Sequence, residues 1–481
     1  MEEKIDKLIG RHKQIETFDN ILTHEESALC VVYGRRRVGK TFLINSYFHD
    51  EFAFKCTGLS KKGKDEQLQN FAGALNRYAS GKDTFLCPSN WYEAFDSLRQ
   101  LLQSKQGSHG KLVVFIDELP WMDTPRSNLI TALEHFWNDW ASVQPDIVMI
   151  VCGSATSWIS KKILKNRKGL HNRTDYRIYV EPFTLAESKA YLESRGIVLE
   201  DRDIAECYMI MGGIPYYLKQ MRKGQSLAQN VDEMFFMRNG RLEDEYQELY
   251  ASLYENPEPY VKVVEALGTK NKGLTKEELL RATKLTDNGH LKDVLDDLDR
   301  CNIIRRYQGY GKQVRMAVYQ LIDPFTLFHL RFIRKAQLSD KNYWTFQLAT
   351  PTHNTWCGLA FEQLCLLHHR QIEQGLGIQG IQTEVYAWTT PSDAKEKAQI
   401  DLIIQRADHL INVCEMKYYD SEYTLSKREA EDLRRRVSIF RESCSQKGAI
   451  HPVLITTFGL KNNEYASLFQ KVIRLEDLFR P

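Results

Sequence analysis

Hydrophobic residues in the first part of the chain come in short unbroken runs: ALCVVY at 28–33, FAFKC at 52–56, KLVVFI at 111–116 and DIVMIVC at 146–152. Runs of this length, rich in β-branched residues and separated by helical patterns, predict strands buried on both faces. The expected class is α/β with a parallel sheet, in which a ligand sits beyond the carboxyl ends of the strands. From 184 to 250 the pattern turns helical, with Gly212, Gly213 and Pro215 marking a break before YYLKQM resumes. This predicts a helical lid. The stretch 257–320 then reads as three helices, YVKVVEALG, TKEELLRAT capped by Thr275, and GHLKDVLDDLDRC, followed by a two-stranded ribbon with Gly309 and Gly311 at its turn. Three helices and a ribbon predict a winged helix. A connecting helical region follows Pro324, and the last part returns to mixed α/β with a hairpin near 399–417. The expected boundaries are 1–183, 184–250, 251–335 and 336–481.

The first candidate chemistry lies where the sheet pattern places it. Gly34, Arg35, Arg36, Arg37, Val38, Gly39, Lys40 and Thr41 fit G-x-x-x-x-G-K-[ST] between a predicted strand and a predicted helix. Glycines let backbone N–H groups close on phosphate oxygens, Lys40 suits the β- and γ-phosphates of ATP, and the Thr41 hydroxyl suits Mg2+. The arginines at 35–37 read as a solvated rim of this loop. Downstream, LVVFIDEL ends an apolar strand in Asp117 and Glu118. Asp117 is expected in the Mg2+ shell and Glu118 as the carboxylate that polarises the attacking water.

With Ile9-Gly10-Arg11 upstream and GRRRVGKT at 34–41, residues 5–225 resemble the archaeal-type ATPases of the AAA+ and STAND assemblage. The resemblance implies that Ser154 of VCGSATSW is the polar sensor ending the strand after Asp117. It further implies that Arg173 senses or stabilises the γ-phosphate, in its own chain or in a neighbouring subunit, and that GGIPYYL begins the lid. An arginine in such a place is also an ordinary surface ion-pair partner.

The second candidate is the hairpin QIDLIIQRADHLINVCEMKYY at 399–419, where Asp401, Glu415 and Lys417 form D-x(13)-E-x-K. A three-residue loop at 407–409 would set Asp401 across from Glu415, and alternation puts Lys417 on the Glu415 face. This resembles the PD-(D/E)XK nucleases, a restriction-endonuclease-like α/β fold. The resemblance implies Asp401 and Glu415 as Mg2+ ligands, Glu362 of GLAFEQLCLLHH as the helix carboxylate that completes the metal site, and Glu415 and Lys417 as catalytic groups. A cross-strand salt bridge on a half-exposed sheet is the plainer reading of the same residues. His368 and His369 point in different directions on a helix and are expected to be structural.

The third predicted helix of the middle segment carries Asp293, Asp296, Asp297 and Asp299 at positions expected to be exposed, which opposes insertion into a DNA groove. The ribbon, with Arg305, Arg306, Lys312 and Arg315 around Tyr307 and Tyr310, suits either DNA contact or packing between the ATPase and the nuclease-like unit. At 481 residues the chain exceeds a single core, and 43% hydrophobic with 27% charged residues excludes a disordered or fibrous protein. A net charge of +2 means that a nucleic-acid partner must be held by local basic patches. No apolar run approaches a bilayer span, so a cytoplasmic protein without membrane contact is expected. The ten cysteines, Cys30, Cys56, Cys152, Cys357, Cys365 and Cys414 among them, show no C-x-x-C pair and read as reduced core residues. Together these features predict an ATP-hydrolysing protein whose nucleotide state governs Mg2+-dependent DNA binding or cleavage, with a homo-oligomer as one arrangement. The alternative is a non-cleaving ATPase switch whose nuclease-like fold serves DNA or protein binding.

Overall fold

The computed structural model describes residues 8–79, 84–107, 110–154, 156–164, 173–254, 256–286, 289–307, 310, 317–336, 342–348, 350–390, 394–443 and 448–480. The chain forms two compact units, Met1–Pro182 and Phe183–Pro481.

The first unit is built on a five-stranded sheet in the order β2-β3-β4-β1-β5, with every pairing parallel. The strands are β1 Ala28–Tyr33, β2 Phe54–Thr57, β3 Leu112–Asp117, β4 Ile147–Gly153 and β5 Tyr176–Tyr179. All of β3 and β4 are buried, which is why their sequences run apolar without alternation. The edges β2 and β5 are short, which limits the unpaired backbone they expose. Helices Lys64–Tyr78, Trp91–Lys105 and Leu129–Asp139 place Phe71, Trp91, Phe95 and Phe136 in one core with Val114, Ile116 and Met149 of the sheet. Truncating a ring such as Phe95 there is expected to cost roughly 3–5 kcal/mol.

The second unit starts with helices between 185 and 253. Helix Asp201–Met211 stops at Gly212 and Gly213, whose φ angles are 69° and 64°. A Cβ on Gly213 would stand 2.2 Å from the Phe183 carbonyl oxygen, so the break demands glycine before Pro215 opens the next short helix. Helices Glu258–Leu267, Lys276–Thr283 and Gly289–Arg300 follow, the second opened by a Thr275/Glu278 capping box. A small antiparallel sheet joins β6 Leu274–Thr275, β8 Val318–Leu321 and β7 Ile304–Tyr307 in that order. The expected turn residues Gly309 and Gly311, with Lys312 and Arg315, lie outside the described residues. Asp297 is not exposed as expected: it shares the buried face of its helix with Val294 and Leu298, and Tyr260 and Arg300 satisfy its carboxylate.

The last sheet has the order β13-β12-β11-β10-β9, with β9 Thr383–Thr389, β10 Gln399–Arg406, β11 Leu410–Lys417, β12 Ala449–Thr456 and β13 Lys471–Arg474. The β9-β10-β11 pairings are antiparallel and the β11-β12-β13 pairings parallel. Helices Pro351–Leu367 and Lys427–Ser443 belong to this region. Tyr310, from the far end of the ribbon, is buried in its core with Trp388, Ile403 and Phe440, and its N–H donates to the Ala387 carbonyl at 3.0 Å. This aromatic thus packs within the second unit, against the last sheet. The segments 184–250, 251–335 and 336–481 thus lie in a single compact unit.

Among the described residues no helix is long and apolar enough to cross a membrane. Among the described residues eight cysteines are buried, whereas Cys87 is exposed in the polar stretch before helix Trp91–Lys105. The reading of all cysteines as core residues fails at that position.

Candidate functional site

The loop between β1 and helix Lys40–Tyr47 is shaped by its glycines. Gly34 has φ 147°, and a Cβ there would meet the Val180 carbonyl oxygen at 2.4 Å. Gly39 has φ 89° and stands at the helix N-cap. The Lys40 ammonium donates to the carbonyls of Gly34 at 2.9 Å and Arg35 at 3.0 Å, so it lies within the loop that the motif assigns to phosphate. Arg11 holds the loop from outside, donating to the Val38 carbonyl at 3.0 Å and to that of Glu181 at 2.7 Å. Arg36 and Arg37 are half-buried, but Arg35 is only 2% exposed and is no solvated rim. The backbone curls around Lys40, which places the Arg35 side chain on the protein side of the loop.

Three further groups meet this loop at the carboxyl ends of neighbouring strands. The Thr41 hydroxyl donates to the Asp117 carboxylate at 2.9 Å. Glu118, next in sequence, takes a left-handed conformation with φ 47°, and its carboxylate accepts from the Ser154 N–H at 3.1 Å and hydroxyl at 2.9 Å. Burial, with Asp117 beside it, raises the Glu118 carboxyl above the ordinary range, although Lys40 and Ser154 pull the other way. Ser154 follows β4, whose register against β1 pairs Gly153 with Tyr33, so serine, Walker-type carboxylates and loop form one cluster. Arg173 does not join it. Asp175, two residues on, hydrogen-bonds both backbone groups of Leu29, at the amino end of β1. The loop begins beyond the carboxyl end of that strand, roughly 15 Å away at about 3.3 Å per residue. The expectation that Arg173 serves the nucleotide of its own chain therefore fails, because the parallel strand carries it to the opposite rim.

In the second unit, β10 and β11 pair with Leu402 opposite Cys414 and Ile403 opposite Val413, a register that extends to Asp401 opposite Glu415. A three-residue loop at 407–409 fixes it, with His409 left-handed at φ 65°. Lys417 lies 3.0 Å from one Glu415 oxygen, and Arg436 donates to the other at 2.8 Å. Burial works to raise Glu415, but Lys417 and Arg436 outweigh it and hold the carboxyl low. Asp401 is raised, chiefly by burial and then by Glu415, although Gln399 donates to it. Glu362, from helix Pro351–Leu367, is pushed up to about 8 by burial and by the charges of Asp401 and Glu415. All four predicted residues thus converge on a cavity of about 2250 Å3 that Lys272, Arg305 and Arg436 also line.

Residues 8–221 match the family model described as an ATPase domain predominantly from Archaea. The chain carries an archaeal-type ATPase domain. An uncharacterized protein of Methanocaldococcus jannaschii is 22% identical over 362 residues, 74% of this chain and 76% of its own. Among solved structures, the Walker-type ATPase of Pyrococcus abyssi is 18% identical with a TM-score of 0.49, covering 68% of this chain and 97% of that one. The Aeropyrum pernix ORC2 protein, solved in ADPNP and ADP complexes, is 12% identical with a TM-score of 0.43, covering 71% and 96%.

Several partners escaped the sequence. In the ATPase domain, the Ile9-Gly10-Arg11 motif does not reveal the grip of Arg11 on the loop, which joins residues 27 and 170 positions away. Arg436 lies one helix beyond the hairpin, with no local spacing to link it to Glu415. Arg305, brought down to about 10 by burial against the pull of Tyr307 and Asp401, was visible only as one charge in a basic ribbon. His368 is structural as expected: Nδ1 bonds the Leu364 carbonyl, Nε2 accepts from the Leu185 N–H, and burial lowers the ring to about 4.

Proposed function

We propose that this protein hydrolyses ATP in its archaeal-type ATPase domain and uses the nucleotide state to control metal-dependent DNA binding or cleavage in its second unit. In the first site Lys40 would neutralise the β- and γ-phosphates, while Thr41 and Asp117 would hold Mg2+. Glu118, held by Ser154 and raised by burial, suits the base that takes a proton from water. Arg173, if it acts on a nucleotide, acts on that of a neighbouring subunit.

The convergence of Glu362, Asp401, Glu415 and Lys417 carries the second half of the reading. Three carboxyls facing one another, with Glu362 protonated up to about pH 8, form a hard-oxygen set suited to Mg2+. Bound there, the ion supplies Lewis acidity toward a phosphodiester and a more acidic water. Lys417 would hold its charge toward the developing phosphorane. The cavity walls carry Lys272, Arg305, Arg428 and Lys397, local cations that suit a phosphate backbone. Helices 258–300 and the β7–β8 ribbon read as a winged helix, and the β9–β13 sheet with its flanking helices as a restriction-endonuclease-like domain.

One observation favours the non-cleaving alternative: Arg436 already neutralises the Glu415 oxygen that Lys417 does not. Incubation of purified protein with single- and double-stranded DNA in Mg2+ or Mn2+ separates the two. Cutting that disappears in Lys417→Ala and Glu415→Ala supports the nuclease, while binding without any cutting by the wild type establishes the switch.

A further inference from the structure

Away from both sites, the second unit buries a glutamate, a histidine and a cysteine against one another. Glu206 lies on helix Asp201–Met211, and His353 and Cys357 lie on helix Pro351–Leu367. Their exposures are 7%, 5% and 1%. A histidine and a cysteine four apart share one helix face, and the packing of the two helices brings Glu206 to that face from 147 positions upstream.

The donor atoms lie close together. His353 Nε2 is 3.2 Å from Glu206 Oε1 and 3.6 Å from Cys357 Sγ, and all three donor atoms fall within 4.8 Å of one another. Tetrahedral zinc, with bonds of about 2.0 Å to N or O and 2.3 Å to S, has ligand-to-ligand edges of about 3.3 and 3.5 Å. The His353–Glu206 pair fits the first edge, whereas Cys357 Sγ, also 3.7 Å from Nδ1, lies beside the ring and would have to turn toward the Nε2 lone pair to complete the second. A thiolate and a carboxylate beside neutral imidazole balance a dication, which is what a buried site requires. Trp344 meets the His353 ring edge-on at 5.2 Å and Trp356 packs at 6.0 Å, walling the group from solvent.

We propose that Glu206, His353 and Cys357 bind a zinc ion that clamps helix Asp201–Met211 to helix Pro351–Leu367. The fourth position is left to water or to a further donor. The clamp has a consequence for the other site of this unit. Glu362 follows Cys357 by five residues on the same helix, about 7.5 Å along its axis, so zinc fixes the element that presents Glu362.

Metal analysis of the full-length protein, reconstituted with Zn2+ under reducing conditions and desalted, is the test, with Co2+ replacing Zn2+ for spectroscopy. The expected result is about one zinc per chain and, with Co2+, a thiolate charge-transfer band in the near ultraviolet. The band is lost in Cys357→Ser and cobalt binds at least roughly tenfold more weakly in Glu206→Gln, which keeps a hydrogen bond to His353. Mg2+ at the carboxylate cluster gives no such band, so the two sites do not confuse each other. A wild-type protein with neither retained zinc nor the band overturns the proposal, as does a band that survives in Cys357→Ser. Zinc binding without any rise in the melting temperature overturns the clamp.

Discussion

At the scale of single residues, function rests on a few side chains whose partners are fixed by backbone shape. Lys40 is the charge at the centre of the phosphate loop, so Lys40→Ala should weaken ATP binding roughly 10- to 100-fold, the value of one or two charge-assisted hydrogen bonds. Isothermal titration with ATP measures it. Glu118→Gln should leave that affinity nearly intact while turnover falls by roughly 100-fold or more. Equal turnover would place the base elsewhere. Glu362 gives a pH signature. Its folded pKa of about 8 lies above the ordinary 4.5, so the folded state binds the extra proton between those values. Its contribution to stability is therefore full below about pH 4.5 and is lost as pH rises through 8. Thermal unfolding without Mg2+ should show this decline, Glu362→Gln should flatten it, and Mg2+ should stabilise the wild type more at pH 9 than at pH 6. Lys40 and Glu118 can be found from sequence because each belongs to a short spacing rule, whereas Glu362 comes only with the nuclease resemblance. Arg436 and Arg11 cannot be found that way, since their contacts cross between elements, and the buried side chain of Arg35 depends on how the loop curls.

At the scale of elements, patterns of period two and short turns carried most of the information. The three-residue loop at 407–409 and the alternation along β10 and β11 set Asp401, Glu415 and Lys417 on one face, and a slip of one residue would send them to the other. Helix starts were equally visible: the capping box of Thr275 and Glu278 opens helix Lys276–Thr283, and Thr275→Ala should cost about 1 kcal/mol in denaturant unfolding. An unchanged midpoint would mean that the cap contributes nothing. Edges were less certain. The run FAFKC suggested a strand over 52–56, whereas β2 covers Phe54–Thr57, because pairing with β3 rather than hydrophobicity decides where the strand begins. Asp297 was misplaced for a related reason: its hydrogen bonds to Tyr260 and Arg300 make a buried aspartate tolerable on an apolar face.

At the scale of the whole molecule, the sequence divided the chain by changes of pattern, but it could not say which segments share a core. Tyr310 illustrates the difficulty. Its place in a basic ribbon suits contact with DNA, and it is buried against Trp388 of the last sheet and Phe440 of helix Lys427–Ser443. Packing of that kind ties the ribbon to the domain bearing the carboxylates and leaves Lys272 and Arg305 lining the same cavity as Asp401. On the proposed reading one unit serves ATP and the other nucleic acid, with the nucleotide state as the control. DNA binding and cleavage in Mg2+ with ATP, with ADP and without nucleotide, for the wild type beside Lys40→Ala, tests that assignment most directly. The expected result is a wild type that responds to the nucleotide and a Lys40→Ala variant that does not; identical wild-type behaviour in all three conditions would contradict the proposal.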